Sequence, residues 1–185
     1  MTSGKKTRFL DASEIERGIE EVAELAKTQR VRVALIGGAA LQLHGSDRLT
    51  KDIDFAADAE VGGIEVIGSL DFGGVEGRTH SGVPVDLVVR DDDYRQLYEE
   101  ALDHSVCVED LPLPVVTPEY LIAMKMVAGR GKDEVDLEFL VAESGADLAK
   151  AREIIKRHLG PYAADEFDCL VDESEWRRSR RPRRR

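Results

Sequence analysis

The chain has 185 residues, 42% of them apolar, which allows one domain with an appendage or two small lobes around an ordinary core. Its formal net charge is −11. Because seven arginines and no acid stand in the last ten residues, the body alone is near −18. So acidic a body makes a poor general nucleic-acid binder, because phosphate partners demand cations, while a metal-screened nucleotide stays compatible with it. No apolar run is long enough to cross a bilayer, so no membrane partner is expected.

The N-terminal MTSGKKTRFL has neither an apolar h-region nor a cleavage pattern, so no secretion signal is predicted. Cys107 and Cys169 are too few and too far apart for a disulfide framework, and neither has a Cys or His neighbour at metal-ligand spacing. They read as free thiols of a cytoplasmic protein. Residues 1–10 are polar and basic. Ser13 and Glu16 fit a capping box, and Ile15, Ile19, Val22 and Leu25 repeat at helical spacing, which predicts a helix over 14–28. Val31 to Ile36 reads as a strand that Gly37-Gly38 ends. Ala39 to Leu43 reads as a short helix stopped at Gly45 and Ser46.

A second strand is predicted over Arg48 to Phe55, with Asp52 and Asp54 on one face and Ile53 and Phe55 on the other. Residues 56–82, rich in glycine, read as hairpin strands and turns. In the strand 83–90, Val83, Val85, Leu87 and Val89 alternate with Pro84, Asp86, Val88 and Arg90, leaving Asp86 the lone acid on its face. A helix follows over 93–104 with Tyr94, Leu97, Tyr98 and Leu102 inward. Thr117-Pro118 opens the next one, a cap followed by proline at the first helical position. Further helices are predicted over 132–142, 147–158 and 162–176. The RRSRRPRRR end has nothing to bury and reads as disordered. The expected class is α+β: a small mixed β-sheet flanked by helices (1–116), a C-terminal helical lobe (117–176) and an arginine-rich tail (177–185).

Three sets of residues carry chemistry. Gly37-Gly38 lies between a strand and a helix, where backbone N–H groups meet a phosphate without an intervening Cβ. A tight turn is the commoner fate of such a pair. Thirteen residues further on, Asp52 and Asp54 point one way from a rigid strand, and Asp86 comes from another strand. Carboxylates so placed suit Mg²⁺, which keeps waters and substrate phosphates as its other ligands. A solvated polar face is their ordinary alternative. In the helical half, Lys125 stands among Leu, Ile, Met and Ala, either snorkelling at the core edge or aimed at a triphosphate. Asp133 and Asp136 share a helix face, where acids near an N-terminus also favour the helix dipole. For His44 and His80 a structural role is expected. Arg48 and Thr50 are expected to order the loop before the acids, with phosphate contact as the alternative for Arg48.

The diglycine, the thirteen-residue gap, D-I-D-F and the acid inside VPVDLVV together resemble the DNA polymerase beta-like nucleotidyltransferase superfamily over residues 31–90. The resemblance implies that Gly37 and Gly38 hold a nucleoside triphosphate such as ATP. It implies that Asp52, Asp54 and Asp86 hold two Mg²⁺ ions, or Mn²⁺ in their place, and that Asp86 helps deprotonate an acceptor hydroxyl. The family often has Ser after the two glycines, where this chain has Ala39. The segment Arg48-Leu49-Thr50-Lys51-Asp52-Ile53-Asp54 and the block LIAMKMVAGRGKDEVDL, with Lys125, Arg130, Lys132, Asp133 and Asp136, are similar to the nucleotidyltransferase toxins of abortive-infection, type IV-like toxin–antitoxin systems. That likeness implies that Lys125 contacts phosphate, that Asp133 and Asp136 assist the nucleotide site, that a tRNA 3′ end is the acceptor and that a cognate antitoxin is a partner. A small-molecule nucleotidyltransferase of the aminoglycoside type, suited to an acidic body, and a catalytically silent binding module are the competing expectations.

Overall fold

The structure is a computed structural model and describes residues 8–129 and 131–180. Arg130, the side chain of Lys132 and the tail beyond Arg180 lie outside the described residues. The elements are α1 (Ala12–Gln29), β1 (Val33–Ile36), α2 (Gly37–Leu43), β2 (Ile53–Ala57), β3 (Glu65–Ser69), β4 (Gly74–Arg78), β5 (Pro84–Val88), α3 (Arg95–Asp103), α4 (Pro118–Ala128), α5 (Gly131–Ala142), α6 (Leu148–His158) and α7 (Pro161–Arg180). The protein is α+β, with a five-stranded mixed sheet in the order β1-β2-β5-β4-β3. Only the β2–β5 pairing is parallel.

Helix α1 starts two residues earlier than the Ser13–Glu16 pattern predicts. Asp11 is the cap, accepting from the Glu14 N–H, while the Glu14 carboxylate accepts from the Asp11 N–H at 3.0 Å. The chain is pinned just before it, because Leu10 is buried and its N–H donates to Thr50 O at 2.9 Å. The apolar stripe of α1 lies on the sheet. A Cβ on Gly18 would sit 2.6 Å from Ile53 Cδ1 and 2.9 Å from Val83 Cγ1, so this glycine sets how closely helix and sheet approach.

Strand β2 is shorter than expected and begins at Ile53. The preceding carbonyls are taken elsewhere: Gln42 Nε2 donates to Arg48 O at 2.6 Å and Thr50 Oγ1 to Asp52 O at 2.8 Å. Asp52 therefore sits in a bend one residue before the strand, not within it. Ile53, Phe55, Val85 and Leu87 are buried with at most 1% exposure on the face that α1 covers. The alternating residues Asp54, Ala56, Asp86 and Val88 face the other way.

Among the described residues no strand follows α4, in keeping with the sequence pattern. Pro118 opens α4 after the Thr117 cap, and Tyr120 to Met124 are all buried. The segment before it is held to β1, with Leu35 N–H donating to Pro114 O at 2.9 Å and Val116 N–H to Leu35 O at 3.0 Å. One buried cluster runs from α1 and the sheet into α4, α5, α6 and α7. Helix α7 extends to Arg180, so Arg177 is helical and pairs with Glu138 at 3.1 Å and Glu173 at 2.8 Å. Residues 177–180 of the predicted tail are thus helical, and its remaining residues lie outside the described residues. Cys107 and Cys169 are free and exposed. Among the described residues no helix is long and apolar enough to cross a membrane.

Candidate active site

The register of β2 against β5 places Asp54 directly beside Asp86. Paired residues of neighbouring strands share a face, so both carboxylates rise from the same side of the sheet. Glu76 of β4 is in turn the partner of Asp86 and extends the acidic row by an exposed residue that the sequence pattern had not singled out. On the other flank Asp54 is paired with Ile36, the last residue of β1. The diglycine therefore leaves the sheet next to Asp54.

The two glycines are required where they stand. Gly37 has φ +61°, and a Cβ there would overlap the Asp54 carboxylate and lie 2.7 Å from Asp54 Cβ. A Cβ on Gly38 would lie 2.8 Å from Thr50 Oγ1. The Gly38 N–H points at Asp54 Oδ2 at 3.4 Å. Thr50, 3% exposed, ties the loop to Asp52 through its hydroxyl.

A cleft of about 230 Å³ opens over this face. Gly37, Gly38, Arg48, Asp52, Asp54, Lys125 and Asp133 line its polar part, and Phe72, Arg90, Tyr94, Tyr98, Leu121 and Met124 much of the rest. A larger groove, about 460 Å³, runs between α5 and α7 and shares Lys125 and Asp133 with the cleft, but it has none of the sheet acids.

Lys125, Asp133 and Asp136 form one buried network. Lys125 Nζ donates to Asp133 Oδ1 at 2.8 Å and to Asp136 Oδ2 at 2.6 Å. Arg48 Nη1 reaches the same Asp136 oxygen from the loop before β2. Asp133 and Asp136 are 2% and 3% exposed, so they are not a solvated first helical turn. Among the described residues, Lys125 and Arg48 offset the charge of Asp133 and Asp136, as burial of charge requires. The network ties α4 and α5 to the loop that carries Asp52.

Sequence reasoning placed Arg90 on the Asp86 face but gave it no role, and read Tyr94 and Tyr98 as core. The structure brings both tyrosines and Phe72 around the Arg90 guanidinium in the cleft wall. The signal was a cation two alternations beyond Asp86 on an otherwise apolar strand. His44 instead meets Val116 O at 2.9 Å, joining α2 to the segment before α4. His80 is exposed in the β4–β5 turn. Neither lines the cleft.

Among the described residues no three His, Cys, Asp or Glu side chains stand close enough to form a metal cage by themselves. Mg²⁺ at phosphoryl-transfer sites is held by one or two carboxylates together with substrate phosphates and water. Asp52 and Asp54 line the cleft and fit that donor set, while Asp86 is the strand neighbour of Asp54 but does not itself line the cleft. The missing Cβ of Gly37 is what lets the Asp54 carboxylate stand against the diglycine.

The fold and cleft thus define an α+β protein with an acid-bearing sheet face under a wall of helices. No family model and no curated protein matches the chain. Solved structures of similar fold include an antigenic nucleotidyltransferase-like protein from Paracoccidioides brasiliensis, 15% identical with a TM-score of 0.47, over 86% of this chain and 95% of that one. Another is the antibiotic-resistance factor ANT(2″)-Ia, 14% identical with a TM-score of 0.48, over 91% and 95%. A tRNA-processing enzyme is 16% identical with a TM-score of 0.39, over 91% of this chain and 59% of the enzyme.

Proposed function

We propose that the protein is a Mg²⁺-dependent nucleotidyltransferase that moves a nucleotidyl group from a nucleoside triphosphate to a hydroxyl. The observation that carries this reading is the in-register pairing of Asp54 with Asp86 beside a diglycine with no room for a side chain. Asp52, Asp54 and Asp86 would hold the metal, which when bound neutralises phosphate charge and favours ionisation of the attacking hydroxyl. Gly37 and Gly38 offer backbone N–H groups to the outer phosphates. Lys125, with Arg48 behind it, supplies positive charge from the helical side, and Asp133 and Asp136 keep that lysine in place. The Asp86 carboxylate takes the proton of the acceptor hydroxyl as the new oxygen–phosphorus bond forms. The bond from the α-phosphorus to the bridging oxygen breaks, and pyrophosphate leaves. Catalysis here is mostly positioning and charge neutralisation.

The R-x-T-x-D-I-D segment and the Lys125–Asp136 block support the 3′ end of a tRNA as acceptor, and a growth-arresting toxin with a cognate antitoxin as the biological role. A second reading rests on the acidic body, near −18 without its last ten residues, which suits a cationic small-molecule acceptor of the aminoglycoside type. A silent binding module would have no need of three intact acids. The test incubates the protein with each α-labelled triphosphate, Mg²⁺, and either total tRNA or an aminoglycoside panel. Label in tRNA supports the first reading and label in the drug the second. Label in neither refutes transfer to these acceptors. The double variant Asp52→Ala, Asp54→Ala should lose all transfer, and retained activity would refute the metal assignment.

A further inference from the structure

The cleft wall farthest from the diglycine is aromatic and holds a buried arginine. Arg90 is 9% exposed, and its guanidinium lies 5.1 Å from the Phe72 ring centroid, 5.3 Å from Tyr94 and 5.1 Å from Tyr98. Asp92 holds it, accepting from Nε at 3.1 Å and pairing with Nη2 at 3.0 Å. Asp92 also accepts from the Tyr94 N–H at 3.1 Å, so one carboxylate fixes both the guanidinium and the first of the two tyrosines. This is a preorganised aromatic cluster rather than a loose cation. With Nε and Nη2 committed to Asp92, it is a poor seat for a triphosphate.

Position along the strands says what it would take. β1 runs antiparallel to β2, so Gly37, one step past the Ile36–Asp54 pair, lies toward the start of β2. β5 runs parallel to β2, so Arg90, past the Val88–Ala56 pair, lies beyond the other end. The paired acids sit between them. Arg90 is four residues past Asp86 and two past the end of β5, at most roughly 13 Å away at about 3.3 Å per residue, and lines the cleft with Asp54. A nucleotide has the same linear order: outer phosphates, then the reacting α-phosphate, then ribose and base.

We infer that the Phe72, Arg90, Tyr94 and Tyr98 wall is a nucleobase-stacking subsite. This inference rests on the nucleotidyl-transfer reading above and assigns the wall a π-stacking ligand: the base of the donor triphosphate or the terminal base of an RNA acceptor. Planar bases stack on aromatic and guanidinium faces whatever their identity.

The test compares Mg²⁺-dependent binding of the four nucleoside triphosphates with that of inorganic tripolyphosphate, by calorimetry. The variants are Tyr94→Leu and Phe72→Leu, both at half-buried rings, and Arg90→Met, each checked for an intact melting transition. Because Arg90 is buried, the two ring variants decide the matter if Arg90→Met fails to fold. If the donor base is the occupant, triphosphate affinity falls about tenfold in the ring variants while tripolyphosphate affinity stays within about twofold. If the acceptor base is the occupant, triphosphate binding is unchanged and KM for an RNA acceptor with an unpaired 3′ nucleotide rises about tenfold at constant kcat. Either outcome supports the subsite. Equal weakening of triphosphate and tripolyphosphate, or no change in any of these quantities, overturns it while leaving the transfer reading intact. A wild-type protein that binds neither ligand overturns the transfer reading itself.

Discussion

Replacing Asp136 with asparagine keeps the shape of the side chain and removes the charge that Lys125 and Arg48 share. Its carboxylate is 2% exposed, against 13% for Lys125 and 29% for Arg48. Removing one partner of a buried ion pair costs about 3–5 kcal/mol, because the other charge stays buried without compensation. Two features put Asp136→Asn at the low end of that range. Arg48 retains contact with solvent, and Asp133 still holds Lys125 at 2.8 Å. The expected loss is about 3 kcal/mol, which lowers the melting temperature of a chain this size by about 6–12 °C. Glu138→Gln serves as the control, since Glu138 is on the same helix but pairs with Arg177 at the surface, 45% exposed. It should cost less than about 1 kcal/mol. Calorimetric melting of the two variants beside wild type measures both effects. A melting temperature for Asp136→Asn within the range of Glu138→Gln would refute the claim that this network joins α4 and α5 to the loop before β2.

Gly37→Ala forces a Cβ onto a residue at φ +61° and against the Asp54 carboxylate. Backbone strain alone costs about 1–2 kcal/mol, and displacing Asp54 should cut nucleotidyl transfer by well over about tenfold. A melting curve and a transfer rate measured on one preparation separate the two effects. Glu119 supplies a pH test. Burial raises its carboxyl pKa, but hydrogen bonds, including the Asp147 N–H at 3.0 Å, and the Lys150 charge outweigh that and hold it below the ordinary carboxylate range. A folded value below the unfolded one gives stability that is present above the unfolded pKa and lost as pH falls through the folded one. Between about pH 5 and pH 3, wild type should therefore lose more stability than Glu119→Gln in denaturant titrations. Parallel losses in the two proteins would contradict this assignment.

Local pattern made part of this molecule readable. The alternation of Val85, Asp86, Leu87 and Val88 identifies which residues share a face, because the side-chain period of a strand is two. It does not say which strand lies beside it. The Asp54–Asp86 pairing joins residues from strands separated by the β3–β4 hairpin, and no local signal encodes that register. The helical run of four segments after Thr117 was legible from caps and breakers. The burial of Asp133 and Asp136 was not. Two acids in the first turns of a helix look solvated until their counter-charges are known, and one of these, Arg48, is 88 residues away from Asp136 in sequence. The start of α1 was misplaced because Asp11–Glu14 and Ser13–Glu16 both satisfy a capping-box spacing. The choice between them is made by Leu10, which the core and the Thr50 carbonyl hold. The bend at Asp52 was hidden for a similar reason, since the side chains of Gln42 and Thr50, and not a neighbouring strand, occupy the carbonyls before β2.

If Asp54 and Asp86 together hold a metal–triphosphate complex on one sheet face, removing both carboxylates must abolish tight metal binding. The most direct measurement is an electron paramagnetic resonance titration of Mn²⁺ in the presence of a non-hydrolysable triphosphate, for wild type and for Asp54→Asn combined with Asp86→Asn. Wild type should convert the free Mn²⁺ signal to a bound species, and the double variant, still folded by its melting curve, should weaken this by more than about tenfold. Indistinguishable titrations for the two proteins would contradict the joint role of the two aspartates.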